Sequence, residues 1–409
     1  MRVPCIKCKG RDPSNCGRSF CPITAKHQAL FKVKDKLASE DFFGSSPAPF
    51  VGRFGYPYVN VGILSPPEQS QDAWLYDAPL HWSANEFNIP QIVDLRSSLI
   101  NSRFKANIRQ QDKMLSISQE VGMASKPVDV EINLEKKPFF RLNTDAFAAP
   151  MGPNAQLKKI EITSNPQIHT KVDKVVSDKE LKANDALNYL HSHGFDENFL
   201  SKLLSVGTVG IGANRKLVPT RWSITATDDL LCKNTLKEVR QYPESDYTAF
   251  FGSYLGNYYL ILLFPDVWSY ELFETYLPKA SWNITNTIQF STDYEGFYGR
   301  KDYAENCVGG YYSVRLAIAE KLREMKRQAS VLTLRFITGE YALPLGVWVT
   351  REAARKALKK PIKFASKELM LNYAKLLVKK KFGYDIENLT KHSILLKDVG
   401  KQKKLMSFL

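Results

Sequence analysis

The chain of 409 residues has no apolar run long enough to cross a bilayer. Its longest, Tyr258-Tyr-Leu-Ile-Leu-Leu-Phe264, falls far short of the roughly 20 residues a spanning helix needs. The opening stretch, Met1-Arg-Val-Pro-Cys-Ile-Lys-Cys-Lys-Gly10, lacks the apolar segment of a secretory signal. No membrane association is expected, and the predicted compartment is the cytoplasm. Six cysteines are too few for a disulfide scaffold. No Walker A loop, H-E-x-x-H or G-x-S-x-G is present, which removes the commonest NTPase, zinc-protease and esterase signatures. No repeat of 20–50 residues suggests a solenoid. Acidic residues are under-represented, 42 against 57 Lys and Arg, and the net charge is +15. What is present in quantity is apolar mass: 44% hydrophobic and 12% aromatic residues, enough for a large core. At roughly 150 residues per domain, the length favours two or three domains.

The charge is uneven. Residues 1–37 carry 9 basic and 2 acidic side chains, and residues 351–409 carry 16 and 5, so the middle of the chain is nearly neutral. Basic ends flanking a balanced centre point to modules that meet a polyanion, DNA first, although a Lys run such as Lys379–Lys381 also suits a plain solvated helix. The patterning is mixed. One strand candidate, Tyr58–Leu64, lies in a Gly-, Pro- and Ser-rich stretch over 41–79. Asn88 to Gln111 reads as a helix. Val128 to Leu134 alternates as a half-buried strand. Asp178 to Val206 reads as a helix pair broken near Gly194. Arg221 to Ala226 alternates as a strand. Tyr247 to Phe264 reads as two strands around Leu255-Gly-Asn257, and Val308 to Gln328 as a helix. Ser330–Ile337 and Leu343–Val349 read as strands, with basic helices over 350–359 and 366–382. The fold class is α+β or α/β. The expected domains are a small zinc knuckle over 1–26, a mixed central domain over 27–295, a helix-rich C-terminal domain over 296–400 and a tail over 401–409.

Four cysteines, Cys5, Cys8, Cys16 and Cys21, follow C-x2-C-x7-C-x4-C. A Cys-x-x-Cys turn presents two thiolates to one metal, and a second pair closes a tetrahedron. Four thiolates leave no open position, so the zinc would be structural. A disulfide or redox pair is the competing reading, and His27 is a spare ligand candidate. Lys7, Lys9, Arg11 and Arg18 would bring charge to phosphates. Cys232 and Cys307 stand alone and read as small buried hydrophobes.

The chain ends Lys401-Gln-Lys-Lys-Leu-Met-Ser-Phe-Leu409. Gln402, Leu405, Phe408 and Leu409 fit Q-x-x-h-x-x-a-h. On a 3₁₀ turn, residues three apart share one face, so Leu405 and Phe408 form an apolar plug with the Gln402 amide at its rim. The pattern resembles the clamp-binding motif carried by many partners of the sliding clamp PCNA. It departs from the commonest form in ending on Leu409 instead of a second aromatic. A tail folded back onto the body is the alternative.

With the four-cysteine set and this tail, five longer stretches make the chain resemble the archaeal Nre family of DNA repair proteins: 51–62, beginning Val51-Gly-Arg-Phe-Gly-Tyr-Pro-Tyr58, and 125–131, 215–225, 309–315 and 344–348. The resemblance covers nearly the whole chain. It implies an N-terminal metal knuckle, a role in the response to DNA damage and PCNA binding through the tail, and it implies no catalytic residue.

Arg53, Arg215, Lys216 and Arg221 are candidate phosphate or DNA contacts, with Trp222 able to stack on a base, although Trp222 also falls where a core residue would. Asp129, Glu135 and Lys137 loosely match a metal nuclease arrangement and equally an amphipathic strand. Asp293, Glu295 and Asp302 read as a metal site or a solvated loop. The leading expectation is a repair factor tethered to PCNA whose zinc knuckle and basic ends touch DNA. The alternative is an enzyme on damaged DNA or a nucleotide, with a pocket around 51–62 and 215–225.

Overall fold

A computed structural model describes residues 40–138, 149–278, 280–283 and 285–399, with a few separate positions before residue 40. Among them are two six-stranded sheets and twelve α-helices, so the protein is mixed α/β. None of these helices is long and apolar enough to cross a membrane. By compactness the chain divides after Leu231.

The first unit holds strands β1 (Asp41–Ser46), β2 (Ala48–Val51), β3 (Tyr58–Ser65), β4 (Ile100–Asn107), β5 (Val128–Leu134) and β6 (Asn154–Ile162), in the sheet order β1-β5-β6-β4-β3-β2. Neighbours pair antiparallel except β4 with β6. β1 and β2 are the two edges, yet only Pro47 separates them in the chain. A flat sheet of this size would be about 24 Å wide at the usual strand spacing, and one residue reaches only about 3.5 Å. The sheet therefore rolls until its edges approach, and Ser46 Oγ donates to the Leu64 carbonyl at 2.8 Å across that closure. The interior follows from alternation: Val128, Val130, Ile132 and Leu134 are buried, as are Val59, Val61 and Ile63. Helix α3 (Lys113–Met123) adds Leu115, Ile117 and Val121 to the same core. Its start is set by Asp112, whose carboxylate accepts the Leu115 N–H at 2.8 Å. The other helices of this unit are α1 (Pro79–Ala84), α2 (Ile89–Ser97), α4 (Thr170–Ser177), α5 (Ala183–Ser192) and α6 (Glu197–Ser205). The division falls inside α7 (Thr220–Val239).

The second unit is built on β7 (Thr248–Tyr254), β8 (Asn257–Phe264), β9 (Ser269–Tyr276), β10 (Gln289–Glu295), β11 (Ser330–Ile337) and β12 (Pro361–Lys363), in the order β10-β9-β11-β8-β7-β12. Its helices are α8 (Val308–Met325), α9 (Trp348–Ala357), α10 (Lys367–Phe382), α11 (Glu387–Thr390) and α12 (Ile394–Val399). Leu332, Leu334 and Phe336 on one face of β11 meet Met370, Ala374 and Val378 of α10 and Leu395 of α12. Every residue of β11 is buried, which explains its near-continuous apolar sequence. Residues 296–400 are mostly helical, but they supply this central strand, so the boundary expected near residue 296 falls within the second unit.

The other face of this sheet is unusually polar for an interior. Tyr259, Tyr270 and Tyr311 are buried there, and loss of hydration pushes each phenol up, with Tyr276 pushed up to about 12. A phenol that ionises near pH 10 when unfolded and only above that when folded contributes stability that is complete below pH 10 and lost as pH rises toward 12. Each unit of such a shift is worth about 1.4 kcal/mol. The urea midpoint followed by circular dichroism is expected to fall steeply between pH 10 and 12. Absorbance at 295 nm showing these phenols ionising near 10 in the folded protein would contradict this.

Three local expectations are corrected. Residues 88–111 form α2 followed by β4, because Asn88 and Gln91 close a capping box at the start of α2 and Ile100, Ser102, Phe104, Ala106 and Ile108 are then buried with a period of two. Residues 343–349 are not a strand: Pro344 lacks an N–H, Gly346 sits at φ +114°, and Trp348 opens α9. Residues 221–226 belong to α7, entered after Pro219, whose carbonyl accepts the Trp222 N–H at 2.7 Å. The hairpin over 247–264, the helix pair around Gly194, and the helix beginning at Val308 take the form the pattern suggests. The four-cysteine segment lies largely outside the described residues; Cys8 and Cys21, which are described, are half-buried free thiols. The tail 401–409 lies outside them altogether.

Candidate nucleic-acid interface

Residues 51–62 and 215–225, far apart in the chain, meet at one end of the rolled sheet. The Val51 N–H donates to Thr220 Oγ1 at 2.9 Å, so the last residue of β2 is tied to the first turn of α7. The Ile108 N–H donates to the Pro57 carbonyl at 3.0 Å, and the Leu217 N–H to the Ile108 carbonyl at 2.8 Å. Three segments, 52–58, 103–111 and 215–222, are thereby stitched side by side. Together they contain seven basic residues and no acidic one.

The connection from β2 to β3 is a short, tightly held loop. The Gly52 N–H donates to the Asn60 carbonyl and the Tyr58 N–H to the Gly55 carbonyl, both at 2.8 Å. Gly55 sits at φ +83°, and a Cβ there would lie 2.7 Å from the Tyr58 carbonyl oxygen, so only glycine fits this turn. Arg53 through Tyr58 are exposed without interruption. The Arg53 guanidinium lies 4.9 Å from the centroid of the Phe54 ring. Tyr56 packs against Trp222 with ring centroids 5.4 Å apart. Trp222 is 45% exposed, which corrects its expected place in the core: on a helix it points away from the buried row that includes Ser223 and Thr227.

The candidate phosphate contacts separate into two groups. Arg53, Lys216 and Arg221 are exposed on or beside this surface. Arg215 is engaged internally: its guanidinium donates to the carbonyls of Gly210, Val176 and Asp178, each at 2.7 Å, and so fastens the 207–215 loop to the end of α4. Residue type alone does not single out Phe54, Tyr56 and Tyr58, because aromatics in a Gly- and Pro-rich stretch look like any loop. The signal was their spacing, one aromatic at every second position across Phe54-Gly-Tyr-Pro-Tyr58.

The acidic candidates have structural partners. Asp129 accepts a hydrogen bond from Ser45 Oγ, and Glu135 and Lys137 lie in the exposed turn after β5. Asp293 accepts the N–H groups of Asn306 and Cys307 at 3.1 and 2.7 Å at the entrance to α8 and pairs with Arg300 at 3.2 Å. Glu295 is buried against Arg315 at 2.6 Å and accepts the Trp268 indole N–H. Asp293 and Glu295 are buried and only Asp302 is exposed as a solvated loop would have it, and among the described residues no group of His, Cys, Asp or Glu is placed to hold a metal ion. Cys232 and Cys307 are buried, and burial pushes the Cys307 thiol up, away from reactivity. A cavity of about 280 Å³ elsewhere in the first unit is lined by Trp74, His81, Lys126, Phe199 and Lys202.

Two family models match, "Archaeal Nre, N-terminal" over residues 15–283 and "Archaeal Nre, C-terminal" over 295–408. The chain belongs to the archaeal Nre family. DNA repair protein NreB of Archaeoglobus fulgidus is 38% identical to it over the full length of both chains. DNA repair protein NreA of the same organism is 38% identical over 93% of this chain and 95% of the relative. DNA repair protein NreA of Haloferax volcanii is 35% identical over 80% of each. No solved structure matches the chain. The two family models part between residues 283 and 295, within the second compact unit, whose sheet draws β7, β8 and β9 from before that junction and β11 and β12 from after it.

Proposed function

We propose that this chain is a DNA repair factor held at the PCNA sliding clamp by its last residues and in contact with DNA through basic surfaces. The observation that carries the repair role is the full-length similarity to relatives named as DNA repair proteins. Gln402, Leu405, Phe408 and Leu409 form the clamp-binding plug, on a tail over 401–409 that serves as a tether. Tethering raises local concentration on DNA without strong intrinsic affinity. Cys5, Cys8, Cys16 and Cys21 hold a structural zinc in a knuckle over 1–26, and four thiolates suit that ion. Arg53, Lys216 and Arg221 meet phosphates, supported by their shared exposure and by the absence of acidic residues in the segments around them. The predominantly helical 296–400 segment carries the second basic region. A cytoplasmic or nucleoid location follows from this role.

Calorimetry with the organism's own clamp tests the tether. The full chain is expected to bind it, and Leu405→Ala with Phe408→Ala is expected to weaken binding at least 100-fold, since each anchor buries about 1.5–3 kcal/mol of apolar surface. Equal affinity of parent and variant would remove the tail as the tether, and a parent chain that does not bind would remove PCNA from the account.

A further inference from the structure

The loop between β2 and β3 is built at odds with ordinary surface economy. Phe54 is 77% exposed, Tyr58 64%, Trp222 45% and Tyr56 42%. Single exposed aromatics need no explanation, but four on one surface do. The loop is also pinned at both ends by hydrogen bonds, from the Val51 N–H to Thr220 Oγ1, from the Gly52 N–H to the Asn60 carbonyl and from the Ile108 N–H to the Pro57 carbonyl. Rings held on a rigid scaffold lose little freedom on binding a partner. Charge narrows what that partner is. With Arg215 turned inward, six basic and no acidic residues remain in the three segments forming the surface, so an anionic partner fits and a basic one does not.

We propose that Phe54, Tyr56, Tyr58 and Trp222 form a stacking platform for unpaired bases of single-stranded DNA, with Arg53 and Arg221 taking the adjoining phosphates. Duplex DNA keeps its bases stacked inside the helix, where side chains of this kind cannot reach a π-face, and offers only phosphates and groove edges. Unpaired bases offer both faces, and aromatic stacking is sequence-tolerant. Arg53 lies over the Phe54 ring, a geometry that carries a guanidinium to the rim of a stacked base. The tilted Tyr56–Trp222 pair offers a second stacking position. This proposal rests on the DNA reading above and adds strand state to it: the protein engages exposed single strands, as at a gap, a flap or an unwound lesion.

The test uses the full chain, a labelled oligothymidylate and a duplex of the same length, titrated at several salt concentrations. Phe54→Ala with Tyr58→Ala is expected to weaken single-strand binding roughly 30-fold or more, since each stacked base contributes about 5- to 100-fold, while duplex binding changes less than about 2-fold. Arg53→Ala with Arg221→Ala is expected to weaken both and to reduce the salt slope by about 2. Addition of the single strand to the parent is expected to quench the part of the tryptophan emission that Trp222→Phe removes. That measurement needs only the parent and the conservative Trp222→Phe variant, and stands whether or not the alanine variants fold. Equal losses on both substrates, no loss on the single strand, an RNA strand bound at least 10-fold tighter, or no quenching of Trp222 would each overturn the platform and leave DNA binding intact. A parent chain that binds neither DNA form would overturn the DNA reading itself.

Discussion

Replacing Cys5 and Cys8 with serine is expected to take the purified chain from one bound zinc per molecule to less than about a tenth of that. The four cysteines occur within residues 5–21, in a stretch rich in Lys, Gly and Pro with too few apolar residues to bury a core. Such a segment gains an ordered shape only from an external centre, and for short four-ligand zinc modules the binding free energy is about 10–16 kcal/mol near neutral pH. The two remaining thiolates cannot close a tetrahedron, so one pair of substitutions removes the whole contribution. Elemental analysis by mass spectrometry after dialysis against a weak chelator gives the stoichiometry. Parent protein emerging without metal would end the knuckle assignment and return the cysteines to a redox or disulfide role.

The second large effect is expected in the second unit. Arg335 lies on the central strand β11, pairs with the Glu274 carboxylate on β9, and donates through Nε and Nη2 to Asn257 Oδ1 at 3.1 and 2.6 Å. Both charges are more than nine-tenths buried. The start of α8 closes over them so tightly that a Cβ on Gly310 would lie 2.5 Å from Glu274 Oε1. Glu274→Ala removes one charge and strands the other, at a cost of about 3–5 kcal/mol. Glu274→Met with Arg335→Met removes both and is expected to recover most of that loss, because an ion pair in such a place stabilises little more than well-packed apolar groups would. Urea denaturation of the two variants and the parent decides the point. A double variant as unstable as the single one would show that Asn257 and the surrounding phenols depend on the guanidinium itself.

The buried row along α7 shows why some elements were hidden from pattern reading. Ser223, Thr227, Leu231, Thr235 and Val239 recur every fourth residue and are all buried, but three of the five are hydroxyl residues. Hydropathy therefore sees no stripe. What remains visible at the start of the helix, Arg221-Trp-Ser-Ile-Thr-Ala226, alternates by accident like a strand. The same confusion lengthened α2, because Leu99 and Ile100 continue a helical spacing at the residue where β4 begins. Elements with unambiguous periodicity were legible: β5 by strict alternation, β11 by its continuous apolar run, and α8 by residues such as Val314, Ala317, Ile318 and Leu322.

The cysteine spacing, the terminal anchors and the basic excess are covalent or compositional facts, and one strand of sequence suffices to read them, since metal ligation and short-motif docking act over a few residues. Which of the four basic candidates face solvent was a different kind of question. Arg215 and Arg221 are six residues apart and chemically identical, yet one is fastened to three carbonyls and the other is exposed. That difference arises from carbonyls 5 to 39 residues before Arg215, and the meeting of the 52–58 loop with the start of α7 from a bond between residues 169 apart, Val51 to Thr220. Only the rolled sheet and the helix entering beside it bring those partners within reach, so the surface that they share exists nowhere in the linear chain.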